Sequence, residues 1–143
     1  MERKHTLPSG LLLPLLLAGS LACSIAEEKS VAEEAVTQFH ARLDAGQFQQ
    51  VYADADEALK KATSEKDAIA LFEAVHRKLG PVKESRQQTF FVKYDVTMGK
   101  TIRLTYETDF AEGKGTEELV WRISDGRARL MGYNISSPVL IIK

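Results

Sequence analysis

Residues 101–136 decide the fold of this chain, and they read TIRLTYETDFAEGKGTEELVWRISDGRARLMGYNIS. Apolar and polar side chains alternate here with a period of two, which predicts strands that have one dry face and one wet face. In the first strand, residues 101–110, the predicted dry face carries Ile102, Leu104, Tyr106, Thr108 and Phe110. In the second strand, residues 116–124, it carries Leu119, Trp121 and Ile123.

Two glycine-containing turns divide this stretch. Gly113-Lys114-Gly115 and Asp125-Gly126 are typical of tight hairpin turns, and they join these two strands to a third at residues 127–136. Strands joined by such short turns pair as antiparallel neighbours. A segment rich in aromatic and β-branched residues at 82–94 predicts one more strand before them. The sequence therefore indicates a four-stranded antiparallel meander.

The preceding part of the chain has helical periodicity. Residues 27–44 predict an amphipathic helix that ends before Gly46, and its inner face would carry Val31, Ala35, Val36, Phe39 and Leu43. Short helices are expected from Phe48 and over residues 58–62. A longer one over residues 65–79 begins after an N-cap at Ser64. Helices followed by a sheet give an α+β domain, in which the N-terminal helices pack on a curved four-stranded antiparallel meander.

The first residues of the chain are organised as a secretory leader. Arg3 and Lys4 precede an uncharged apolar run over residues 11–22, which is too short to remain in a bilayer as a spanning helix. The run ends in Ser20-Leu21-Ala22-Cys23, and Cys23 is the only cysteine in the chain. One cysteine excludes a disulfide within the chain.

The segment at residues 20–23 resembles the lipobox of bacterial lipoprotein signal peptides. The resemblance implies that residues 1–22 are removed by cleavage between Ala22 and Cys23, and that Cys23 carries the acyl chains. Residues 23–26 would then form a short tether, and residues 27–143 the domain. The implied location is the bacterial cell envelope, on the outer membrane facing the periplasm in a Gram-negative cell. Small residues at 20 and 22 also suit the ordinary signal peptidase, which would leave a secreted protein with a free thiol.

Residues 27–136 resemble the cystatin-like and nuclear-transport-factor-2-like cone folds, and among them small secreted bacterial domains of unknown function. The likeness is carried by turn and packing motifs: Phe39-x3-Leu43-Asp44-x-Gly46-x-Phe48, Leu79-Gly80-Pro81-Val82, Trp121-Arg122-Ile123 and Gly132-Tyr133. Some members of that superfamily are isomerases or dehydratases that place a carboxylate in an apolar pocket. In this chain Tyr52, Tyr94 and Tyr106 are the candidate pocket residues, whereas Glu107 and Asp109 fall on the wet face of their strand.

Other side chains that could carry chemistry are assigned structural roles. We expect His40 to form a solvated pair with Asp44, one helical turn away, and His76 to lie on a helix flank. No histidine or cysteine spacing typical of a metal site occurs, so neither a metal nor a cofactor is expected. The basic residues Arg122, Arg127 and Arg129, with Lys100 and Arg103, are interpreted as a solvated rim, with an anion-binding patch as the alternative.

The function follows from these features and from charge. A formal net charge of −1 gives no electrostatic reason to expect a nucleic-acid partner. The leading hypothesis is a lipid-anchored, non-catalytic module that binds an envelope protein, a peptide or a small ligand. The alternatives are a small enzyme of isomerase or dehydratase type and a scaffold that acts as a homodimer.

Overall fold

The computed structural model describes residues 19–142, with side chains from Ser24 onward. The first eighteen residues of the expected signal peptide and the side chain of Cys23 lie outside the described residues. Helices come first: α1 (Gly19–Asp44), α2 (Phe48–Ala53), α3 (Glu57–Ala62) and α4 (Glu65–Leu79). The strands β1 (Val82–Asp95), β2 (Gly99–Phe110), β3 (Gly113–Ser124) and β4 (Arg127–Ser136) follow, and then α5 (Pro138–Ile141).

The sheet is an antiparallel meander in the order β1-β2-β3-β4. The α+β arrangement and the four consecutive antiparallel strands are therefore confirmed. On β2 the predicted alternation holds, since Ile102, Leu104, Tyr106, Thr108 and Phe110 are all buried. The opposite face carries Glu107 and Asp109, which lie near Arg86 and Lys114 on neighbouring strands, as expected of a wet face.

The helices differ from the prediction in where α1 begins and which residues it buries. The helix starts at Gly19, eight residues before the expected start at residue 27. Its buried face is formed by Ala32, Val36, Phe39, His40 and Leu43, whereas Val31 and Ala35 are only half-buried. Val36, Phe39 and Leu43 belong to two possible stripes, one that extends to Val31 and Ala35 and one that includes Ala32 and His40. Packing buries the second.

Polar caps and glycines mark where individual helices begin and end. Ser64 caps α4 by accepting a hydrogen bond from the Asp67 amide at 3.2 Å, as predicted. Gly46, after α1, has a φ of +69°, the left-handed conformation expected at a helix end. Gly80, after α4, has a φ of +72° and leads the chain into β1. The short helix α5 was not predicted, and it begins with Pro138 after a cap by Ser137.

Candidate functional site

The most unusual feature of the core is a buried polar cluster, formed by His40, Thr108, Glu117 and Tyr133. Glu117 is completely buried, and its carboxylate bonds to the other three side chains. Its Oε2 lies 2.8 Å from Nε2 of His40 and accepts from the Thr108 hydroxyl at 2.5 Å. Its Oε1 accepts from the Tyr133 hydroxyl at 2.7 Å. One carboxylate therefore joins α1 to β2, β3 and β4.

The pairing register of the sheet brings these residues together. Glu117 lies opposite Tyr106 on β2 and opposite Ile135 on β4. Thr108 and Tyr133 are therefore its diagonal neighbours, two residues along each adjacent strand and on the same face. Glu117 also has the same parity as Leu119, so it must point into the core.

The donor and acceptor roles follow from the electrostatics of Glu117. Burial raises the pKa of the Glu117 carboxyl, but the hydrogen bonds and the charge of His40, with bonds from Thr108 and Tyr133, lower it by more. The net effect is a pKa below the ordinary value, so Glu117 is ionised and can only accept. Nε2 of His40 must then carry a proton. The Thr108 hydroxyl donates its hydrogen bond to Glu117, so it accepts a hydrogen bond from the Ser85 hydroxyl, 2.9 Å away.

Both tyrosines near this carboxylate resist ionisation. Burial and the charge of Glu117 raise the pKa of Tyr133 well above its ordinary value. Burial, with the charges of Glu33 and Glu117, raises the pKa of Tyr106 to about 12. The two phenols therefore stay protonated, and Tyr133 serves as a hydrogen-bond donor to Glu117.

Tyr133 also connects the polar cluster to a surface groove. We call this space the β4 groove. It has a volume of about 200 Å³, and it lies between α3 and α4 on one side and β4 on the other. Its lining is mostly apolar: Leu59, Ala62, Thr63, Ala68, Leu71, Phe72, Met131, Gly132, Tyr133 and Asn134. β4 is an edge strand of the sheet that the described residues form. The Asp56 amide donates to the Leu130 carbonyl at 2.9 Å, and within residues 19–142 no further strand pairs with β4 on the side of the groove.

The structure does not bring the three candidate tyrosines into one pocket. Tyr106 is buried in the core on β2. Tyr52, on α2, is half-buried and donates its hydroxyl proton to the Thr63 carbonyl at 2.9 Å. Tyr94 is 74 % exposed near the end of β1.

The expectation for His40 is wrong, because this residue is 7 % exposed and bonded to Glu117. Its expected partner, Asp44, instead accepts from the backbone amide of Val82 at 3.2 Å. Sequence reasoning also missed Glu117 and the connecting role of Tyr133. The signal for Glu117 was its shared parity with Leu119, Trp121 and Ile123 on the dry face of β3.

His76 lies on α4, half-buried, with its ring centroid 5.9 Å from that of Phe48. Its Nδ1 is buried and accepts no hydrogen bond from the described side chains or backbone. Within residues 24–142 no three His, Cys, Asp or Glu side chains are grouped closely enough to hold a metal ion.

The expected basic rim is divided by ion pairs. Arg122 donates to both carboxylate oxygens of Asp56, at 2.7 and 3.1 Å, and also to the Met98 carbonyl. Asp56 caps α3 through the Ala58 amide as well. Lys100 bonds Glu28 on α1 at 2.7 Å. Arg127 and Arg129 stay exposed beside the Asp56–Arg122 pair. Because Asp56 caps α3 and Arg122 lies on β3, this ion pair joins the helical layer to the sheet.

Residues 35–133 match the family described as protein of unknown function (DUF4019). The chain belongs to this family. The comparison with curated proteins found no match. The DUF4019 region contains all four residues of the buried polar cluster and nearly all of the β4 groove. Among the described residues, no helix is both long enough and apolar enough to cross a bilayer.

Proposed function

We propose that this DUF4019 protein is a lipid-anchored bacterial envelope protein, and that its cystatin-like domain binds an extended segment of a partner protein in the β4 groove. The anchor is supported by Ser20-Leu21-Ala22-Cys23 and by the single cysteine at the position where lipid attachment needs a thiol. The cystatin-like assignment is supported by the long helix α1, whose buried face packs against one side of an antiparallel meander.

The observation that carries the binding proposal is the position of the β4 groove beside an edge strand. An extended peptide can add to such an edge through backbone hydrogen bonds, while neighbouring pockets receive its side chains. The groove holds about 200 Å³, which is below the roughly 300–1,000 Å³ typical of pockets for whole small ligands. It is lined by Leu59, Leu71 and Phe72, so it fits an apolar side chain of a bound segment.

The polar cluster supports a structural rather than a catalytic role for Glu117. A general acid or base needs access to substrate and a pKa close to the working pH. The Glu117 carboxylate has no exposed surface, and its pKa is lowered by the donors His40, Thr108 and Tyr133. Three donors already use its oxygens, so the cluster is closed. Its role is to hold α1, β2, β3 and β4 in one arrangement.

A crosslinking experiment tests the groove. A photoreactive phenylalanine analogue replaces Leu71, which is 40 % exposed at the groove, in the full-length protein in its native host. Glu73, exposed on the same helix outside the groove lining, is the matched control position. We expect an adduct of one defined mass from position 71 only. We also expect Ala62→Trp, which fills the groove from an exposed position, to abolish that adduct.

Four results would count against the groove as a binding site for a partner protein. Equal adducts from positions 71 and 73, or no adduct at all, would remove the proposal. An adduct that survives Ala62→Trp would place the contact elsewhere. A product with twice the mass of the chain would favour the homodimeric scaffold instead.

The anchor has a separate test. Metabolic labelling with a radioactive fatty acid should mark the wild-type chain and not Cys23→Ala, because the thioether forms on this sulfur alone. Label that persists in Cys23→Ala would show that the lipoprotein assignment is wrong. A protein that is unlabelled in both forms and recovered outside the membrane fraction would favour the ordinary signal peptidase.

The alternative of a small enzyme is favoured by one contact, since Tyr133 joins the carboxylate of Glu117 to the β4 groove. The space between α1, α2 and the sheet argues against it. The cavity lined there by Phe39, Val51 and Trp121 holds about 60 Å³, far below the roughly 300 Å³ at which pockets for small ligands begin. Binding of a substrate-sized ligand that is lost in Tyr133→Phe, with the fold retained, would favour the enzyme.

A further inference from the structure

The turn between β1 and β2 exposes apolar side chains to an unusual degree. Val96 is 95 % exposed, Tyr94 74 % and Met98 41 %. We call these three residues the hairpin tip. Three large apolar side chains are thus exposed within one five-residue segment, and clustered exposed apolar side chains are typical of contact surfaces.

The hairpin tip is held in a fixed shape. Oδ1 of Asp95 accepts hydrogen bonds from the backbone amides of Thr97 at 2.8 Å and Met98 at 3.0 Å. Arg122 donates to the Met98 carbonyl from β3. These hydrogen bonds fix the backbone of the turn. In that conformation the three apolar side chains are exposed.

The hairpin tip lies at the same end of the domain as the start of α1. At the far end of β1, the Val82 amide bonds Asp44, the last residue of α1. Near the tip, Lys100 bonds Glu28 at 2.7 Å. Between these points Nζ of Lys29 lies 5.6 Å from the centroid of the Phe90 ring. The helix and the hairpin thus lie side by side and antiparallel, so that the N-terminal end of α1 and the tip point the same way.

The hairpin tip and Cys23 extend about equally far beyond the Glu28–Lys100 bond. From the Glu28–Lys100 bond, α1 continues back for five residues to Cys23, which is about 7.5 Å of helix. From the same bond, the hairpin continues for about two residue pairs to Val96, which is about 7 Å of strand. A bilayer that holds acyl chains on Cys23 would therefore meet the side chains of the hairpin tip.

We propose that the hairpin tip inserts into the lipid interface of the membrane that anchors Cys23, and that it holds the domain against the bilayer in one orientation. This inference rests on the proposed lipid anchor. Tyrosine suits the boundary between headgroups and acyl chains because its ring is apolar and its hydroxyl is polar. Lys93 is exposed beside the tip and can approach anionic headgroups. The partner of the hairpin tip is lipid, because the acyl chains on Cys23 would lie at this same end of the domain.

The test uses the chemistry of the only cysteine. In the lipidated protein the Cys23 thiol is consumed, so Val96→Cys provides the single reactive thiol for an environment-sensitive NBD fluorophore. Glu112→Cys is the matched control, because Glu112 is exposed in the β2–β3 turn at the opposite end of the sheet. Both variants are purified in their lipidated form and reconstituted into vesicles of phosphatidylethanolamine and phosphatidylglycerol that carry a doxyl quencher near the headgroups. No other protein is present.

The expected result is a blue-shifted emission at position 96 with quenching at least about two-fold stronger than at position 112, as an interfacial depth predicts. Equal quenching at the two positions would overturn the inference. The wild-type chain distinguishes this failure from failure of the anchor. If wild-type protein takes up NBD, then Cys23 is a free thiol, and both the anchor and the inference are wrong. If it takes up none and the quenching is still equal, only the inference is wrong.

Discussion

Replacing Glu117 by glutamine keeps the shape of the side chain and removes its charge, so it measures what the buried carboxylate contributes to stability. Three donors reach this carboxylate, from His40, Thr108 and Tyr133. A hydrogen bond to a charged group is worth about 1 kcal/mol more than a neutral one, so three of them amount to about 3 kcal/mol. Burial of the charged carboxylate also costs desolvation free energy, and the neutral glutamine avoids most of that cost. The free energy of unfolding should therefore fall by about 1–3 kcal/mol near pH 7.

The same substitution should also change the dependence of stability on pH. The pKa of Glu117 lies below its ordinary value of 4.5 in the folded protein. The stability that ionised Glu117 contributes is therefore fully present above the unfolded-state pKa and is lost as the pH falls toward the folded-state pKa. Glu117→Gln has no carboxyl to titrate at this position. The stability difference between wild type and variant should therefore shrink as the pH falls below 4.5.

Urea unfolding provides the measurement, since the emission of Trp121, the single tryptophan, reports on the core directly. Glu118→Gln is the control: Glu118 lies on the outer face of the same strand, 3.8 Å from Arg103. Its loss should change the free energy of unfolding by less than about 0.5 kcal/mol. A Glu117→Gln difference that is absent near neutral pH, or that stays constant into acid, would refute the reasoning.

Two further substitutions test how the layers are joined. Asp56→Ala should lower the free energy of unfolding by about 2–4 kcal/mol, because it removes the cap of α3 and leaves Arg122 without its carboxylate; a loss below 1 kcal/mol, measured by urea unfolding, would contradict this. Gly80→Ala should cost more than Gly46→Ala, since both have positive φ but only at Gly80 would a new Cβ meet another atom, Ala111 Cβ at 3.0 Å. Equal melting temperatures would show that the contact relaxes without cost.

The sheet was predictable because its information is local. In β2 and β3 the side chains alternate over a whole strand, and Asp125-Gly126 marks the turn between β3 and β4. The turn predicted at Gly113-Lys114-Gly115 is wrong by two residues, because these residues pair within β3 and the chain reverses at Ala111-Glu112. The first helix was harder, because Val36, Phe39 and Leu43 fit both a stripe with Val31 and Ala35 and a stripe with Ala32 and His40. Local periodicity does not choose between the two stripes, and packing against the sheet chose the one that includes His40.

The polar cluster depends on contacts that no local pattern contains. The parity of Glu117 predicts that it points inward, but burial of a carboxylate is stable only where donors surround it. Those donors are far apart in sequence: His40 is 77 residues away and Tyr133 is 16. The β4 groove is likewise a space between α3, α4 and an edge strand, and its existence depends on how these elements pack.

The separation between His40 and Glu117 also has a consequence for how the chain is made. Ribosomes add about 5–20 residues per second, so the 77 residues between these two side chains take about 4–15 s to appear. During that time α1 is complete, while β3, which supplies the carboxylate, has not yet been synthesised. The apolar stripe of α1 can first pack against α4, since the rings of Phe39 and Phe72 lie 6.0 Å apart, and the bond to Glu117 forms only after β3 has been made.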